Sequence, residues 1–291
     1  MKKALFLGLI SLLALAALVF MQYHQYNDGL LHVVFCDVGQ GDAILIRSPQ
    51  GKVMLFDAGP NDAVASCLSD HMPFWQRTLS LVVLSHPHAD HFRGLFSLLD
   101  RYSIAEFGSE ELVNNITEYK AIDEMISNKH IRKRRLLRGD TYRLGDNLVV
   151  QVLGPTQEFL TNTSPLGNIG ERDEFASLVL LVSYENFDLL LTGDSQNEQL
   201  SDDILSSNIK TIDVLQVPHH GSATGLTQEI VQELSPKLAV MSVGKNRYGH
   251  PSEKTMEILR DKDIKTLRTD KNGDVELVSD GEKWSIVNNY P

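Results

Sequence analysis

The sequence predicts a layered α/β domain that is preceded by one N-terminal hydrophobic segment. From Leu31 onward, short apolar runs of strand length alternate with segments of helical periodicity. The strands come in two batches, each followed by helices, which is typical of sheets covered by helices. Residues 4–21 form an uncharged, mostly apolar run that lies outside this pattern. We therefore assign residues 1–27 to the hydrophobic segment and residues 28–291 to the folded domain.

The first batch of strands is separated by turns that contain Gly and Pro. Strands are predicted over 33–36, 43–47, 53–57 and 81–85, and helices over 64–71 and 93–99. A helix over 118–128 and strands over 131–135 and 149–153 follow. Residues 161–172 contain Pro165, Gly167 and Gly170, and they are predicted to form a loop long enough to cover a site.

The second batch begins with an apparent hairpin over 178–183 and 187–192, around Glu185-Asn186. Strands over 214–217, 238–243 and 264–268 alternate with helices over 228–234 and 253–261. The pattern ends in a terminal hairpin over 274–278 and 284–287.

The N-terminal segment predicts where the domain works. Lys2 and Lys3 precede the apolar run, and residues 22–27 carry no Lys or Arg, so the positive-inside rule places the N-terminus in the cytoplasm. The 18-residue run is at the short end of a membrane span, and no small-x-small cleavage site follows it. We expect an uncleaved signal anchor, with the domain outside the cytoplasmic membrane. A cleaved signal peptide, which would release a secreted or periplasmic protein, is the alternative.

Charge and cysteine content narrow the functional classes. The net charge of −11 argues against indiscriminate nucleic-acid binding, which depends on phosphate contacts. Two cysteines, Cys36 and Cys67, give neither a disulfide framework nor a Cys-x-x-Cys site. Cys36 lies in an apolar strand and reads most simply as a small buried side chain, while a bridge to Cys67 stays open in an oxidising compartment.

One basic segment stands against the acidic background. Its six cations are Lys129, Arg132, Lys133, Arg134, Arg135 and Arg138. Two interpretations remain: a solvated edge strand protected by Lys and Arg, or a patch that meets an anionic substrate.

Residues 85–91 are the most informative stretch, because they read Ser-His-Pro-His-Ala-Asp-His directly after an apolar run. His86, His88, Asp90 and His91 place three imidazoles and a carboxylate within six positions, and thiolate is absent. Such ligands suit Zn²⁺, Mn²⁺ or Fe. Two neighbouring ions that share a hydroxide make a hydrolytic nucleophile at neutral pH. The alternative is a polar loop that happens to be rich in histidine, although the chain has only 10 His.

The spacing His-x-His-x-Asp-His at a strand end resembles the signature of the metallo-β-lactamase superfamily, and further segments follow in the family's order. These are Asp57-Ala58-Gly59, Thr192-Gly193-Asp194 and His219-His220-Gly221-Ser222. Within the superfamily, the chain is most similar to the extracytoplasmic hydrolase domain of ComEC competence proteins. That likeness rests on Asp37–Ala43, Ser177–Leu180, the His-His-Gly-Ser step and Tyr248–Pro251, and it extends over residues 31–290.

The resemblance implies a four-layer αββα sandwich with metal ligands on loops at one sheet edge. His86 and His88 are assigned to a first ion, Asp90, His91 and His220 to a second, and Asp194 bridges both; the ions are two divalent cations, Zn or Mn, and one site is weak. Asp90 and His219 are the catalytic candidates, since the imidazole that is not a ligand can orient its neighbour or protonate a leaving group. The choice between His219 and His220 stays open. Asp42 and Asp57 are expected to hold imidazole N–H groups, and a simple turn residue is the alternative for Asp42.

The chain departs from the family pattern at one position. Many binuclear members carry a further histidine before the bridging aspartate, whereas the corresponding stretch here reads Ala176-Ser177-Leu178, and the remaining candidate is His130. The ComEC-like branch also has this serine. That branch usually has asparagines ahead of it, where this chain has Glu174-Phe175, so the substrate preference is open.

Residues 244–251 end another strand with Tyr248 and His250, which are the substrate-binding candidates. They either reach the site and bind a phosphate ester, or belong to a loop in which Ser252 caps the next helix. The resulting hypothesis is a metal-dependent phosphodiesterase or nuclease outside the cytoplasm, acting on DNA or nucleotides. The alternatives are a lactam, lactone or thioester hydrolase with the same core, and a non-catalytic accessory module for DNA uptake.

Overall fold

The computed structural model describes residues 2–169 and 176–287. The helices are α1 Lys2–Tyr26, α2 Ala63–His71, α3 Ala89–Phe92, α4 Leu95–Arg101, α5 Thr117–Asn128, α6 Gln157–Thr163, α7 Asn197–Ser207, α8 Gln228–Leu234, α9 Glu253–Asp261 and α10 Thr269–Asn272. The strands of the first half are β1 Leu31–Phe35, β2 Ile44–Arg47, β3 Val53–Phe56, β4 Thr78–Leu79, β5 Leu81–Val83, β6 Ser103–Ile104, β7 Glu106–Ser109 and β8 Arg132–Arg135. Those of the second half are β9 Thr141–Arg143, β10 Leu148–Gly154, β11 Val179–Tyr184, β12 Phe187–Leu191, β13 Val214–Gln216, β14 Leu238–Met241, β15 Lys265–Arg268, β16 Val275–Ser279 and β17 Trp284–Val287.

Two mixed sheets form the centre of the domain. The first has the strand order β17-β16-β1-β2-β3-β5-β7-β8, and the second has the order β15-β14-β13-β12-β11-β10-β9. A short parallel pair, β4 with β6, lies apart from both. The C-terminal hairpin β16–β17 adds to the first sheet beside β1, so the end of the chain completes the sheet that the beginning of the domain starts.

Alternating side chains explain why the sheets stack in four layers. In β1, Val33 and Phe35 face the second sheet, while Val34 faces α2, α4 and α5. In β12, Leu189 and Leu191 face the first sheet, while Leu190 faces α7, α8 and α9. Successive strand residues point to opposite faces, so an apolar strand needs cover on both sides. The αββα sandwich implied by the sequence is therefore confirmed.

Parallel strand pairs bring the chemically interesting loops to one edge. In the first sheet β3, β5 and β7 are parallel, and in the second sheet β12, β13 and β14 are parallel. Their carboxyl ends carry the polar loops of both sheets, so those loops sit on a scaffold that is buried on both faces.

Most predicted elements are confirmed within two residues of their bounds. The helix predicted over 93–99 is present as α4, shifted by two residues: α3 ends at Phe92, and α4 starts after Gly94, whose N–H donates to the carbonyl of Gly59. A side chain at Gly94 would collide with the carbonyl oxygen of Ala58, so this close approach requires glycine.

The loop predicted over 161–172 is wrong at its start, because α6 continues to Thr163. The Thr156 side chain caps that helix by accepting from the N–H of Phe159. Residues 170–172 lie outside the described part. Sequence reasoning also missed α7, whose buried Leu200 and Ile204 are interrupted by Ser and Asp.

Helix α1 is long and apolar enough to cross a membrane, and one N-terminal helix of this kind is equally compatible with a signal sequence. Its side chains from Leu5 to Met21 are exposed. The division of the chain at residue 27 stays a prediction.

Cys36 and Cys67 form a disulfide with a Cα–Cα distance of 5.9 Å. The bond joins the residue that follows β1 to the buried face of α2, so the pairing that the sequence left open is present in the structure.

Candidate metal centre

Asp194 lies at the centre of a cluster of histidines at the shared sheet edge. Its Oδ2 is 3.3 Å from Nε2 of His91, 3.8 Å from Nε2 of His86 and 3.5 Å from Nε2 of His219. Its Oδ1 is 3.4 Å from Nε2 of His220. The ligand atoms of His86, His88 and Asp194 lie within 4.8 Å of one another. Residues from both sheets thus converge on one carboxylate, and the bridging role of Asp194 stays a prediction.

Four polar atoms of this cluster are buried without a hydrogen-bond partner. They are Nε2 of His86, Nε2 of His91, Nε2 of His220 and Oδ1 of Asp194. Burying a polar group without a partner costs about 1–3 kcal/mol, and such groups in a folded protein call for an explanation. The same atoms have the chemistry of Zn²⁺ or Mn²⁺ ligands. The donor set therefore fits divalent metal ions.

Asp57 holds the first histidine cluster in place. It follows β3 at a φ of 60°, and its Oδ2 lies 2.8 Å from Nδ1 of His91. Its Oδ1 accepts from the backbone N–H of Ser85 at 2.7 Å. The Ser85 hydroxyl in turn lies 3.0 Å from Nδ1 of His86. Because both Nδ1 atoms are engaged, the Nε2 atoms face Asp194, and Asp57 has the supporting position expected from the sequence.

Asp42 and Asp90 approach these rings from opposite sides. Asp42 faces Nδ1 of His91 and of His220, at 3.9 and 3.8 Å, and both of those atoms already have closer partners. Asp90 faces the Nε2 atoms of the same rings, at 3.9 and 3.6 Å, and is partly exposed. Proximity alone groups Asp42 with His91, Asp194 and His220. The direction of approach instead favours Asp90 as a ligand and Asp42 as a supporting carboxylate.

His219 and His220, which the sequence could not distinguish, differ in the partner of Nδ1. Nδ1 of His220 lies 2.9 Å from the carbonyl oxygen of Ser242. A carbonyl only accepts, so this Nδ1 carries a proton, and the neutral form of the ring has its lone pair on Nε2. Nδ1 of His219 lies 2.7 Å from the side-chain amide nitrogen of Gln196, which also faces the carbonyl of Asp194. That Nδ1 accepts, so Nε2 of neutral His219 carries a proton.

Two polar side chains shape the loop that presents Asp194. The Oε1 atom of Gln216 accepts from the N–H of Thr192 at 2.9 Å and from that of Gly193 at 3.2 Å. The N–H of Asp194 donates to the hydroxyl of Ser177 at 3.1 Å. Gly193 has a φ of 48°, and a Cβ there would approach the Ser177 hydroxyl to 2.3 Å. The site thus requires glycine at this position.

Burial and mutual charge shift the pKa values in opposite directions. Burial lowers the pKa of His86 well below its usual value, and His91 lowers it further. Burial also lowers the pKa of His91, but the carboxylates around it, Asp194 first, outweigh burial and hold it well above the usual value. Burial raises the pKa of Asp194, yet His220 and His91 hold it well below its usual range. The protonation state of each group in the cluster therefore depends on the charges of its neighbours.

The loop of Tyr248 and His250 flanks the cluster. The His250 ring centroid is 5.4 Å from that of His219 and 5.8 Å from that of Tyr248, which is 76% exposed. Asn246 organises the loop by accepting from three backbone N–H groups. Ser252 caps α9 by accepting from the N–H of Thr255. The loop both reaches the site and caps the helix, so the two interpretations offered by the sequence are compatible.

No further histidine completes the first ligand set within the described residues. His130 is exposed at the end of α5, and its Nδ1 lies 3.2 Å from the carbonyl of Ser127. Ser177 occupies the corresponding position and bonds to the bridging loop instead. Glu174 and Phe175, where the family's asparagines are expected, lie outside the described residues.

Residues 132–135 of the basic segment form strand β8, at the edge of the first sheet. Each of the four cations in β8 has an acidic partner within 4.0 Å. The pairs are Arg132–Glu106, Lys133–Asp123, Arg134–Glu106 and Arg135–Glu111. The structure therefore favours a protected edge strand over a patch that faces an anionic substrate.

Fold, ligand set and loop order together define the class of protein. The profile of the Metallo-beta-lactamase superfamily matches residues 36–245, and the chain belongs to that superfamily.

Its curated relatives include competence proteins. The chain is 28% identical over 260 residues to ComE operon protein 3 of Bacillus subtilis (strain 168), and 29% identical over 244 residues to Recombination protein 2 of Haemophilus influenzae. These alignments cover 82% and 81% of this chain but 32% and 27% of the relatives. The chain thus spans about a third of the length of the competence proteins that it matches. Its predicted resemblance to ComEC-type competence proteins is confirmed.

Solved structures support the fold. The metallo-beta-lactamase fold protein YhfI from Bacillus subtilis aligns with a TM-score of 0.54 at 13% identity, covering 81% of this chain and 95% of YhfI. Zn(2+)-bound PqqB from Methylobacterium extorquens aligns with a TM-score of 0.53 at 11% identity, covering 81% of this chain and 97% of PqqB.

Proposed function

We propose that this chain is a membrane-anchored phosphodiesterase that uses two divalent metal ions outside the cytoplasm, with DNA or nucleotides as its substrate class. Membership of a largely hydrolytic superfamily gives the reaction type. The observation that carries the proposal is the convergence of four buried, unpartnered ligand atoms from both sheets on a single space.

The proposed ligand sets follow the directions of these side chains. His86 and His88 would hold the first ion, and Asp194 would contribute to both. Asp90, His91 and His220 would hold the second, His220 because its Nε2 lone pair is free. Bound divalent ions supply Lewis acidity and activate water for attack on a phosphate ester. Asp57 and Ser242 fix the tautomers of the second set, so both rings are oriented before any ion arrives.

His219 has a different role in the proposal. Gln196 makes its Nδ1 an acceptor, so the proton on Nε2 points into the site next to Asp194. An imidazole N–H at that place can donate a hydrogen bond to the leaving oxygen of a phosphodiester and stabilise the negative charge that develops on it. Its partly exposed ring, at 21% for the side chain, lies at the boundary between the buried ligands and solvent. We therefore assign His219 as the hydrogen-bond donor to the leaving oxygen and His220 as ligand.

The Tyr248 loop is the proposed contact with the substrate. Its exposed aromatic ring offers a stacking surface for a base, as single-stranded nucleic acid uses in many proteins. Lys245 and Arg247 flank it, and within the described ranges neither has an acidic partner within 4.0 Å. These cations, rather than the paired cations of β8, are placed to meet phosphate. The competence relatives support a DNA-related substrate.

Two features support the proposed compartment of the domain and its attachment to the membrane. Helix α1 is apolar and exposed along its length, as a bilayer-embedded helix would be. The Cys36–Cys67 disulfide suits an oxidising compartment, because cytosolic thiols are kept reduced.

The test is a substrate screen on the full-length chain in lipid nanodiscs, reconstituted with Mn²⁺ or Zn²⁺. Truncation after residue 27 is avoided, because Arg47 bonds to the carbonyl of Tyr26. The screen compares bis-p-nitrophenyl phosphate, single-stranded DNA and nitrocefin. The variant is His86→Ala with His88→Ala, and the matched control is His130→Ala, which removes an exposed imidazole outside the site.

We expect diesterase activity in the wild type and in the His130→Ala control, and its loss in the double variant. Nitrocefin hydrolysis without diesterase activity would move the chain to lactam chemistry. Inactivity on all substrates with metal bound would favour an accessory module.

A further inference from the structure

An aromatic turn protrudes from the domain after α2. The N–H of Gln76 donates to the carbonyl of Pro73 at 2.9 Å and closes the turn, with Phe74 and Trp75 at its tip. Phe74 is 55% exposed and Trp75 is 39% exposed, and their rings pack edge to face at 5.0 Å. Two adjacent large apolar side chains held against each other in water are unusual on a soluble surface, and they mark a contact site.

The same side of the domain receives the end of α1. The Tyr26 hydroxyl donates to the carbonyl of Asp70, near the end of α2, at 3.1 Å. The Arg47 guanidinium donates to the carbonyl of Tyr26 and lies 5.5 Å from the centre of its ring. These contacts fix the point at which α1 meets the domain.

Chain length places the turn close to that point. Phe74 follows Asp70 by four residues, so it lies within about 15 Å of the contact with Tyr26. The headgroup region on each side of a bilayer is roughly 5–8 Å deep beyond the hydrocarbon core. Arg77, which is exposed, directly follows the turn. Tryptophan and a basic side chain together are typical of membrane–water interfaces.

We propose that Phe74 and Trp75 insert into the interfacial region of the bilayer that holds α1, and so form a second attachment of the domain to the lipid surface. Two attachments would restrict rotation of the domain about α1. The inference rests on the proposed membrane anchor and is independent of the chemistry at the metal centre.

The experiment measures tryptophan emission of the full-length chain in nanodiscs of phosphatidylcholine and of its brominated analogue, which quenches only at contact. The chain has two tryptophans. Trp284 is half-buried, donates to Asp213 and packs at 6.2 Å from the ring of Phe187 on the second sheet. Trp75→Phe keeps an aromatic ring and removes only the reporter, so it is the matched control.

We expect brominated lipid to quench the part of the wild-type emission that is absent from Trp75→Phe, and to leave the emission of Trp75→Phe unchanged. If the emission of each protein were the same in brominated and in ordinary nanodiscs, and acrylamide quenched Trp75 freely, the inference would be overturned while the anchor remained intact. Failure of the chain to co-purify with nanodiscs would overturn the anchor and this inference together, without bearing on diesterase activity measured in detergent.

Discussion

Removing the proposed hydrogen-bond donor should affect substrates according to their leaving group. His219→Ala deletes the Nε2–H that faces the site, and one preorganised donor to a developing oxyanion contributes about 10²–10³-fold. The 3′-oxygen of a dinucleotide leaves as an alkoxide that needs such a donor, whereas p-nitrophenolate is a stable anion without one. We therefore expect a loss of at least about 100-fold on a dinucleotide and a change within about threefold on bis-p-nitrophenyl phosphate.

Gln196 gives a graded version of this test. Gln196→Leu keeps the imidazole but removes the 2.7 Å hydrogen bond that fixes its tautomer. One such bond contributes about 1 kcal/mol net, so the expected loss on the dinucleotide is about five- to tenfold, again with little change on the chromogenic diester.

The assay is kcat on both substrates for the two variants and the wild type, with metal content measured on the same samples. Equal loss on the two substrates at unchanged metal content would refute the role of His219 as hydrogen-bond donor to the leaving oxygen. Loss of metal in His219→Ala would instead mean that His219 is the ligand.

Three other perturbations have defined outcomes. Cys36→Ser with Cys67→Ser should lower the free energy of unfolding by about 3–4 kcal/mol, measured by urea titration, since the bond closes a loop with a sequence separation of 31; an unchanged midpoint would contradict this. Burial lowers the pKa of His71, but the hydrogen bonds that its ring donates to the carboxylates of Asp274 and Glu276 outweigh burial and raise that pKa to about 9. This contribution to the free energy of unfolding is fully present below pH 6.5 and is lost as the pH rises through 9. His71→Gln should therefore lower the free energy of unfolding by about 2 kcal/mol at pH 6, and it should flatten the decline in Tm between pH 6.5 and 9. Lys245→Gln with Arg247→Gln should weaken cleavage of long DNA and reduce the slope of log activity against log salt by about 1–2. Arg132→Gln with Lys133→Gln should change both quantities by little. The opposite ranking of the two variants would mean that DNA contacts β8 instead.

The layers could be predicted from the sequence because the apolar pattern of each strand indicates whether one or both of its faces are packed against a neighbouring layer. Strand β12 reads Phe-Asp-Leu-Leu-Leu and is buried over its last three residues, as a central strand between two layers must be. Helix α7 escaped prediction because its buried Leu200 and Ile204 are surrounded by Ser and Asp, which favour turns and caps in isolation. Packing against β10 and its neighbours decides its conformation instead.

The ligands at residues 86–91 could be predicted because their spacing is local, and Asp57 could be predicted as a support from the order of the motifs. Gln196 and Gln216 are single polar residues in a loop and at a strand end, and nothing in their surroundings marks them. Their roles arise from contacts across 23 and 24 positions of the chain, such as the bond from the N–H of Thr192 to Gln216. The assignment of His219 and His220 likewise required the partners of each Nδ1, which only the folded structure supplies.

The most direct test of the central claim is the number of divalent ions bound per full-length chain, measured by plasma mass spectrometry after equilibrium dialysis against Mn²⁺ or Zn²⁺. The unpartnered atoms around Asp194 predict up to two ions in the wild type. Asp194→Ala should weaken both sites, and His130→Ala should leave the number unchanged. A wild-type chain that is folded, by circular dichroism, and yet retains no ion would contradict the metal centre and the function proposed for it.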